Sequence, residues 1–456
     1  MFALPGGFPW ASVGCPSAHK GHSRRLTSIV TAYTVEHCIH AIEILDGWAV
    51  FQPIWRPTSL PVLKPFSFQI SQQIVYSVLE FAGSTAAMNR TRIFLFVVTA
   101  CLLSFLFQPP STARNPLFKV GVATRVFTPP EPYNWRGAKT HQLLSSIWYP
   151  AAPTSAEKPQ FIGSPDSPFA LAGSAAPGAS FAPKPAKFPL ILLSHGTGAS
   201  ALMMAWLGTA LASHGYIAVA VNHPGNNGLE DYTIQGFSLW GERAKDLSTL
   251  IDLLVADPTY GPHIDPSRIA AAGFSLGGLT VIETAGGIAE LSRYQDFCNS
   301  PRKDGMCVDP VEFPNLLAKA TELSKTDPEF QAALGEGAKS HRDPRIRAIF
   351  AIAPALGPAF SAESLEAISI PTAIIAGAAD TTVPPDTSAK FFAAHIPGAK
   401  LTLFTGVGHY TFLATCAELG RRSRPDLCLD PAGVLRDDIH NQTAALAVSF
   451  FASTLK

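Results

Sequence analysis

Gly273-Phe274-Ser275-Leu276-Gly277-Gly278 lies between a strand-like and a helix-like stretch, and this junction leaves few folds open to the chain. The preceding run, Ser267-Arg268-Ile269-Ala270-Ala271-Ala272, reads as a buried parallel strand. The following run, Leu279 to Ala285, reads as the start of a helix. So sharp a reversal needs glycine wherever a Cβ would meet neighbouring backbone, here at 273, 277 and 278. Ser275 then sits on the turn in a strained conformation, its Oγ exposed at the carboxyl edge of a sheet. A G-x-S-x-G pattern is short, and with 35 glycines in the chain it can arise by chance, so the other segments must decide.

Those segments occur in a consistent order. Phe188-Pro189-Leu190-Ile191-Leu192-Leu193 follows a Pro-rich loop and opens into Ser194-His195-Gly196-Thr197-Gly198, the pattern of a buried strand entering a glycine loop. A helix is predicted from Ala199 to His214, with Met203, Trp206, Leu207 and Leu211 at helical spacing and Gly215 as its stop. Thr372 to Ala379 reads as another strand, with Asp380 just past its end. Lys400 to Phe404 reads as the last strand, and Gly408-His409-Tyr410 follows it. Ser275, Asp380 and His409 therefore each stand beyond the carboxyl end of a predicted strand, where open α/β sheets bind ligands.

These three residue types form a chemical unit. A serine hydroxyl is a weak nucleophile at neutral pH, so His409 is expected to take its proton during attack on an acyl carbonyl and return it to the leaving group. Asp380 would orient the imidazole and stabilise its cation. The negative oxygen of the tetrahedral intermediate needs preorganised donors, for which the backbone N–H groups of Leu276 and Thr197 are the expected pair.

With these residues in view, the chain from about Lys119 to its C-terminus resembles the α/β-hydrolase superfamily. It is most similar to dienelactone hydrolase-like and platelet-activating-factor acetylhydrolase-like proteins. The likeness rests on residues 194–198, Asn222-His223-Pro224-Gly225, Gly273 to Gly278, Gly377 to Asp380, and Gly408-His409. It implies a mostly parallel sheet with helices on both faces. Dienelactone hydrolases use a cysteine nucleophile where this chain has Ser275, so the resemblance implies a serine esterase or lipase-like enzyme better than it implies a dienelactone substrate.

Rival residues are read as structural. The resemblance gives His195, which precedes Ser275, a role in loop packing. His223, in a Pro/Gly turn, reads as a loop residue, and Asp386, after Pro384-Pro385, as a helix N-cap. Trp206, Phe274, Tyr410 and Phe412 are candidates either for an apolar acyl pocket or for the core.

Composition narrows the function further. Net charge is zero and 15% of residues are charged, which leaves no electrostatic footprint for nucleic acid. The sequence contains no Walker loop, His-Glu-x-x-His or Cys-x-x-Cys, so neither a metal nor an organic cofactor is expected.

Residues 88–113 have the form of a signal peptide. Met88-Asn89-Arg90-Thr91-Arg92 is basic, Ile93 to Phe107 is apolar, and Ser111-Thr112-Ala113 matches a small-x-small cleavage site. The expected true start is Met88, with residues 1–87 a disordered upstream extension and a periplasmic or secreted mature protein. Two alternatives are a membrane span, for which the apolar run is short, and lipid anchoring through Cys101. Removing Cys15, Cys38 and Cys101 leaves Cys298, Cys307, Cys416 and Cys428. Pairing Cys298 with Cys307 and Cys416 with Cys428 is favoured among three arrangements because each closes a short local loop; four free thiols are the alternative.

Residues 114–456 are expected to form one large domain. An early strand is predicted at Leu143 to Tyr149, a surface excursion at 151–187, and an insertion at 289–342 that either caps the site or decorates the periphery. The expected function is metal-free cleavage of a small-molecule or lipid-like ester through an acyl-enzyme. A peptidase or amidase on the same fold, and a silent binding protein, are the alternatives.

Overall fold

The computed structural model describes residues 117–456. The extension 1–87, the signal-like segment 88–113 and Cys15, Cys38 and Cys101 lie outside the described residues. Ten strands form one sheet: β1 (Lys119–Phe127), β2 (Leu143–Ala151), β3 (Lys158–Ser164), β4 (Ser167–Pro177), β5 (Phe188–Ser194), β6 (Ile217–Val221), β7 (Ile264–Phe274), β8 (Ile346–Ile352), β9 (Thr372–Gly377) and β10 (Lys400–Phe404). Their spatial order is β10-β9-β8-β7-β5-β6-β2-β1-β4-β3. From β6 to β10 every pairing is parallel, whereas β2 is antiparallel to both β1 and β6.

Among the described residues, the helices of seven residues or more are α1 (Ala205–Ser213), α2 (Trp240–Ala256), α3 (Leu276–Thr284), α4 (Leu291–Cys298), α5 (Leu316–Thr326), α6 (Pro328–Gly337), α7 (Ala389–His395) and α8 (Arg436–Thr454). They cover both faces because the central strands are apolar on both sides, as buried parallel strands are. All seven residues of β5 are buried. Phe188, Leu190 and Leu192 face the layer that includes α2, α3 and α7. Ile191 and Leu193 face α1 and α8. In β7, Ile269 and Ala271 take the first side and Ala270 and Ala272 the second, following the two-residue period of a strand.

Three segments differ from expectation. The helix predicted from Ala199 begins later, as a 3₁₀ turn at Ala201–Met204 followed by α1, because Gly196 to Ser200 is occupied by loop hydrogen bonds. The strand ending at Gly377 is two residues shorter than predicted, since Ala378 and Ala379 turn to hydrogen-bond Phe404 and Val407. The stretch 151–187 carries the β3–β4 hairpin, which extends the sheet beside β1. Its buried residues are small, Ala170, Ala172, Ala175 and Ala176, so an Ala/Pro/Ser composition still yields a partly covered strand.

Candidate active site

The strand-to-helix junction between β7 and α3 forms the predicted elbow. Ser275 has φ 56° and ψ −118°, a conformation that L side chains rarely adopt. The surrounding backbone overdetermines it. Ser275 N–H donates to Ile352 O (2.9 Å), and Ser275 O accepts from Gly278 N–H (2.8 Å) and Ala355 N–H (3.1 Å). All three elbow glycines are required by close approach: a Cβ at Gly273 would lie 2.1 Å from Gly277 O, one at Gly277 would lie 1.9 Å from Ser194 O, and one at Gly278 would lie 2.7 Å from Pro354 Cα. Such persistent local strain is a feature of functional sites.

The loops after β9 and β10 bring Asp380 and His409 to this elbow. Asp380 Oδ1 accepts the backbone N–H groups of Thr382 (3.0 Å) and Val383 (2.7 Å), which fixes the carboxylate and leaves Oδ2 for the histidine. His409 Nδ1 lies 2.7 Å from Asp380 Oδ2, and its Nε2 lies 3.0 Å from Ser275 Oγ. A carboxylate opposite Nδ1 makes that nitrogen the donor, so Nε2 presents its lone pair to the serine hydroxyl. All three residues are buried, with Ser275 keeping 8% of its surface exposed. Phe274 backs the imidazole at a ring distance of 4.9 Å. Leu276 follows this serine directly, and Thr197 follows Gly196, whose would-be Cβ lies 3.3 Å from Ser275 Cβ; among the described residues neither backbone N–H donates to a protein acceptor.

Residues 190–421, about half of the chain, match the sequence model of the alpha/beta hydrolase family. The chain belongs to that family. It is similar to platelet-activating factor acetylhydrolase of Cavia porcellus, 29% identical over 168 residues, which covers 28% of this chain and 36% of the relative. The Bos taurus acetylhydrolase is 30% identical over 172 residues, with the same coverage of each chain. Lipase 1 of Moraxella sp. (strain TA144) is 33% identical over 97 residues, 20% of this chain and 27% of the lipase. The chain thus matches about a third of the length of these curated relatives. A solved ferulic acid esterase from Streptomyces cinnamoneus superposes with a TM-score of 0.46 at 18% identity, covering 76% of this chain and 92% of that one.

In this alpha/beta hydrolase the rival histidines are fully buried. His195 Nδ1 donates to Gly196 O (2.7 Å), and its Nε2 accepts His223 N–H (3.2 Å), a loop-packing role as expected. His223, expected as a plain loop residue, is instead part of a buried polar chain. Its Nδ1 donates to Asp246 Oδ2 (2.7 Å) and its Nε2 accepts the Ser194 hydroxyl (2.9 Å). Burial, then the nearby Arg243 charge, hold both histidines well below the ordinary imidazole range and keep them neutral. Asp246 also accepts Arg136 through both oxygens (2.9 and 3.1 Å) and the Tyr133 hydroxyl. Sequence reading missed Arg136, Arg243 and Asp246, although a signal exists. Arg243 falls at helical spacing with Leu247, Leu250 and Leu254, which puts a charge on the apolar face of α2. Asp386 also departs from its expected role: it is exposed and pairs with Lys390 (2.6 Å), while Ser388 holds the N-cap position of α7.

The insertion 289–342 reaches the candidate site at two places. At the first, Gly305 packs on Thr381 O, beside Asp380. Met306 Sδ lies 3.2 Å from both Leu356 N and Ser388 Oγ. Cys298 and Cys307, joined as a disulfide, close this loop. At the second, Glu312 approaches Gly198 in the glycine loop and stands 3.9 Å from Arg424. Arg424 lies within the loop closed by the Cys416–Cys428 disulfide, soon after His409 in sequence. Of the aromatic candidates, Phe274 and Phe412 are core residues, while Trp206 and Tyr410 are half-buried against the same cluster. Trp206 Nε1–H donates to Phe412 O (3.0 Å), which braces the turn carrying His409. Among the described residues no group of His, Cys, Asp and Glu is arranged to hold a metal ion, and no helix is long and apolar enough to cross a membrane.

Proposed function

We propose that the protein is an exported serine hydrolase that cleaves carboxylic esters through an acyl-enzyme. Ser275 attacks the ester carbonyl while His409 Nε2 takes its proton. Asp380, hydrogen-bonded at Nδ1, holds the imidazole in the productive tautomer and stabilises the cation that forms. Thr197 and Leu276 N–H groups receive the developing oxyanion. His409 then returns the proton to the leaving alcohol, and a second cycle with water releases the acid. The observation that carries this reading is His409 within hydrogen-bond distance of both Ser275 Oγ and Asp380 Oδ2, at a backbone-strained serine. The relatives named as an acetylhydrolase and a lipase favour an ester over an amide substrate.

Three further parts belong to the proposal. Residues 289–342 cap the site, as their contacts with Thr381 and Gly198 suggest. Residues 88–113 act as a signal peptide ahead of a mature domain beginning at Arg114. The two disulfides support an oxidising compartment, whether periplasmic or extracellular.

The test is labelling by a fluorophosphonate probe together with turnover of p-nitrophenyl esters and aminoacyl anilides. Both labelling and ester turnover are expected to disappear in Ser275→Ala. Folded protein that neither labels nor turns over would support a silent scaffold, and faster anilide cleavage an amidase. N-terminal sequencing of exported protein is expected to begin at Arg114.

A further inference from the structure

Arg243 is buried between the two segments that carry the candidate oxyanion donors. Its Nε–H donates to Thr280 Oγ1 (3.0 Å) on α3, the helix headed by Leu276. Its Nη2 donates to His195 O and, at 3.3 Å, to Ser194 Oγ, both in the segment that leads to Thr197. Thr280 Oγ1 in turn donates to Leu276 O (2.9 Å), so the brace reaches the first residue of α3. The same two segments are also in direct backbone contact, because a Cβ on Gly277 would meet Ser194 O and His195 O. The donor pair is therefore fixed by contact at Gly277 and by one planar guanidinium at Arg243.

We propose that Arg243 is a positioning residue for oxyanion stabilisation, setting the spacing between the Thr197 and Leu276 N–H groups. Ser194 ties this brace to a second buried group, since its hydroxyl donates to His223, whose ring is held by Asp246, itself paired with Arg136. The chain Arg243–Ser194–His223–Asp246 resembles a second serine–histidine–aspartate set, but Ser194 and His223 are fully buried, so it has no access to substrate. Its function is to hold one face of the arginine in register. A planar fork bonding in two directions at once is something Arg does and Lys does only in part.

The inference rests on the serine-hydrolase reading, and its test separates the two. Arg243→Met, Arg243→Lys and Ser194→Ala would be assayed with p-nitrophenyl butyrate and with a trifluoromethyl ketone, which forms a tetrahedral adduct on the nucleophile. Arg243→Met is expected to lower kcat roughly 10- to 100-fold, below the ~10²–10³ of deleting a donor outright, with KM within about twofold. Affinity for the ketone should fall by a similar factor. Arg243→Lys should recover part of both, and Ser194→Ala, which removes only a hydroxyl, should lose roughly three- to tenfold in both. If Arg243→Met fails to fold, the two milder variants decide. Folded Arg243→Lys and Ser194→Ala with kcat and ketone affinity within about twofold of the parent would overturn the inference. So would activity that drops only in proportion to the unfolded fraction. Failure of the underlying reading looks different: Ser275→Ala would keep its activity whatever happens at Arg243.

Discussion

Gly277→Ala places a methyl group where two rigid backbones meet. The new Cβ would sit 1.9 Å from Ser194 O and 2.8 Å from His195 O, whereas ordinary contact begins at 3.4 Å. Either α3 or the end of β5 must therefore move by about 1.5 Å, the difference between 3.4 and 1.9 Å. Ser194 cannot recede freely, because β5 is paired with β6 on one side and with β7 on the other, and Ser194 is in register with Val221 and Gly273. Backbone overlap without a flexible partner belongs among the costlier single substitutions, roughly 3–5 kcal/mol. The same displacement separates the two candidate oxyanion donors, and a misplacement of about 1 Å costs on the order of 10²-fold in kcat. Guanidinium unfolding gives the first quantity, provided the denaturant slope is unchanged, and p-nitrophenyl ester turnover gives the second. Gly335→Ala is the matched control. Gly335 is an exposed residue of α6 with nothing within 4 Å of its would-be Cβ, so helix propensity should stabilise the variant by about 0.5–1 kcal/mol. Gly277→Ala with stability within about 1 kcal/mol of the parent and turnover within about threefold would show that this contact is soft, and would refute the reasoning.

Asp380→Asn is expected to lower kcat by roughly 10³–10⁴ with little change in KM, because an amide no longer enforces the Nδ1–H tautomer of His409; steady-state kinetics at constant pH would measure it. Stability should fall with acidity. Burial holds His195 and His223 well below the usual imidazole value and pushes His440 down to about 4. Each stays neutral in the fold while the unfolded chain takes up protons, so its contribution is complete above about pH 6.5 and is lost progressively as pH falls from there to the folded value. The slope should approach ~1.4 kcal/mol per pH unit per histidine, and urea melts at pH 7.5, 6 and 5 that superimpose would contradict it. Replacing Cys298 and Cys307 together by serine should cost about 2–3 kcal/mol and reduce kcat, since the closed loop packs Gly305 on Thr381 beside the candidate acid. Unchanged turnover in the double variant would detach that loop from the site.

The elbow was legible because its glycines answer to backbone contacts, a constraint that survives whatever packs around it. Asp380 and His409 were legible for a related reason: parallel strands end in loops on one edge, and strand ends can be located from apolar runs. The β3–β4 hairpin was hidden because Ala170, Ala172, Ala175 and Ala176 carry little strand propensity, and their burial depends on α1 and the neighbouring strands. Arg243 and Asp246 were hidden differently. Charges on a helix usually mark its solvated face, and only the three-dimensional partners Arg136, Tyr133, His223 and Thr280 explain why these two point inward.

The sheet order separates the proposed reacting groups in a way that affects how the protein fails. Ser275 follows β7, which is enclosed by β5 on one side and β8 on the other and is buried from Ile269 onward. His409 follows β10, an edge strand, none of whose five residues is fully buried. Edge elements open locally at lower free energy than enclosed ones, so the base is expected to leave its place while the nucleophile is still held. Catalytic competence is therefore a more fragile property than the fold itself. Under gentle heating or low denaturant, ester turnover should decline while the spectroscopic signal of the sheet persists, and amide exchange should be faster along β10 than along β7.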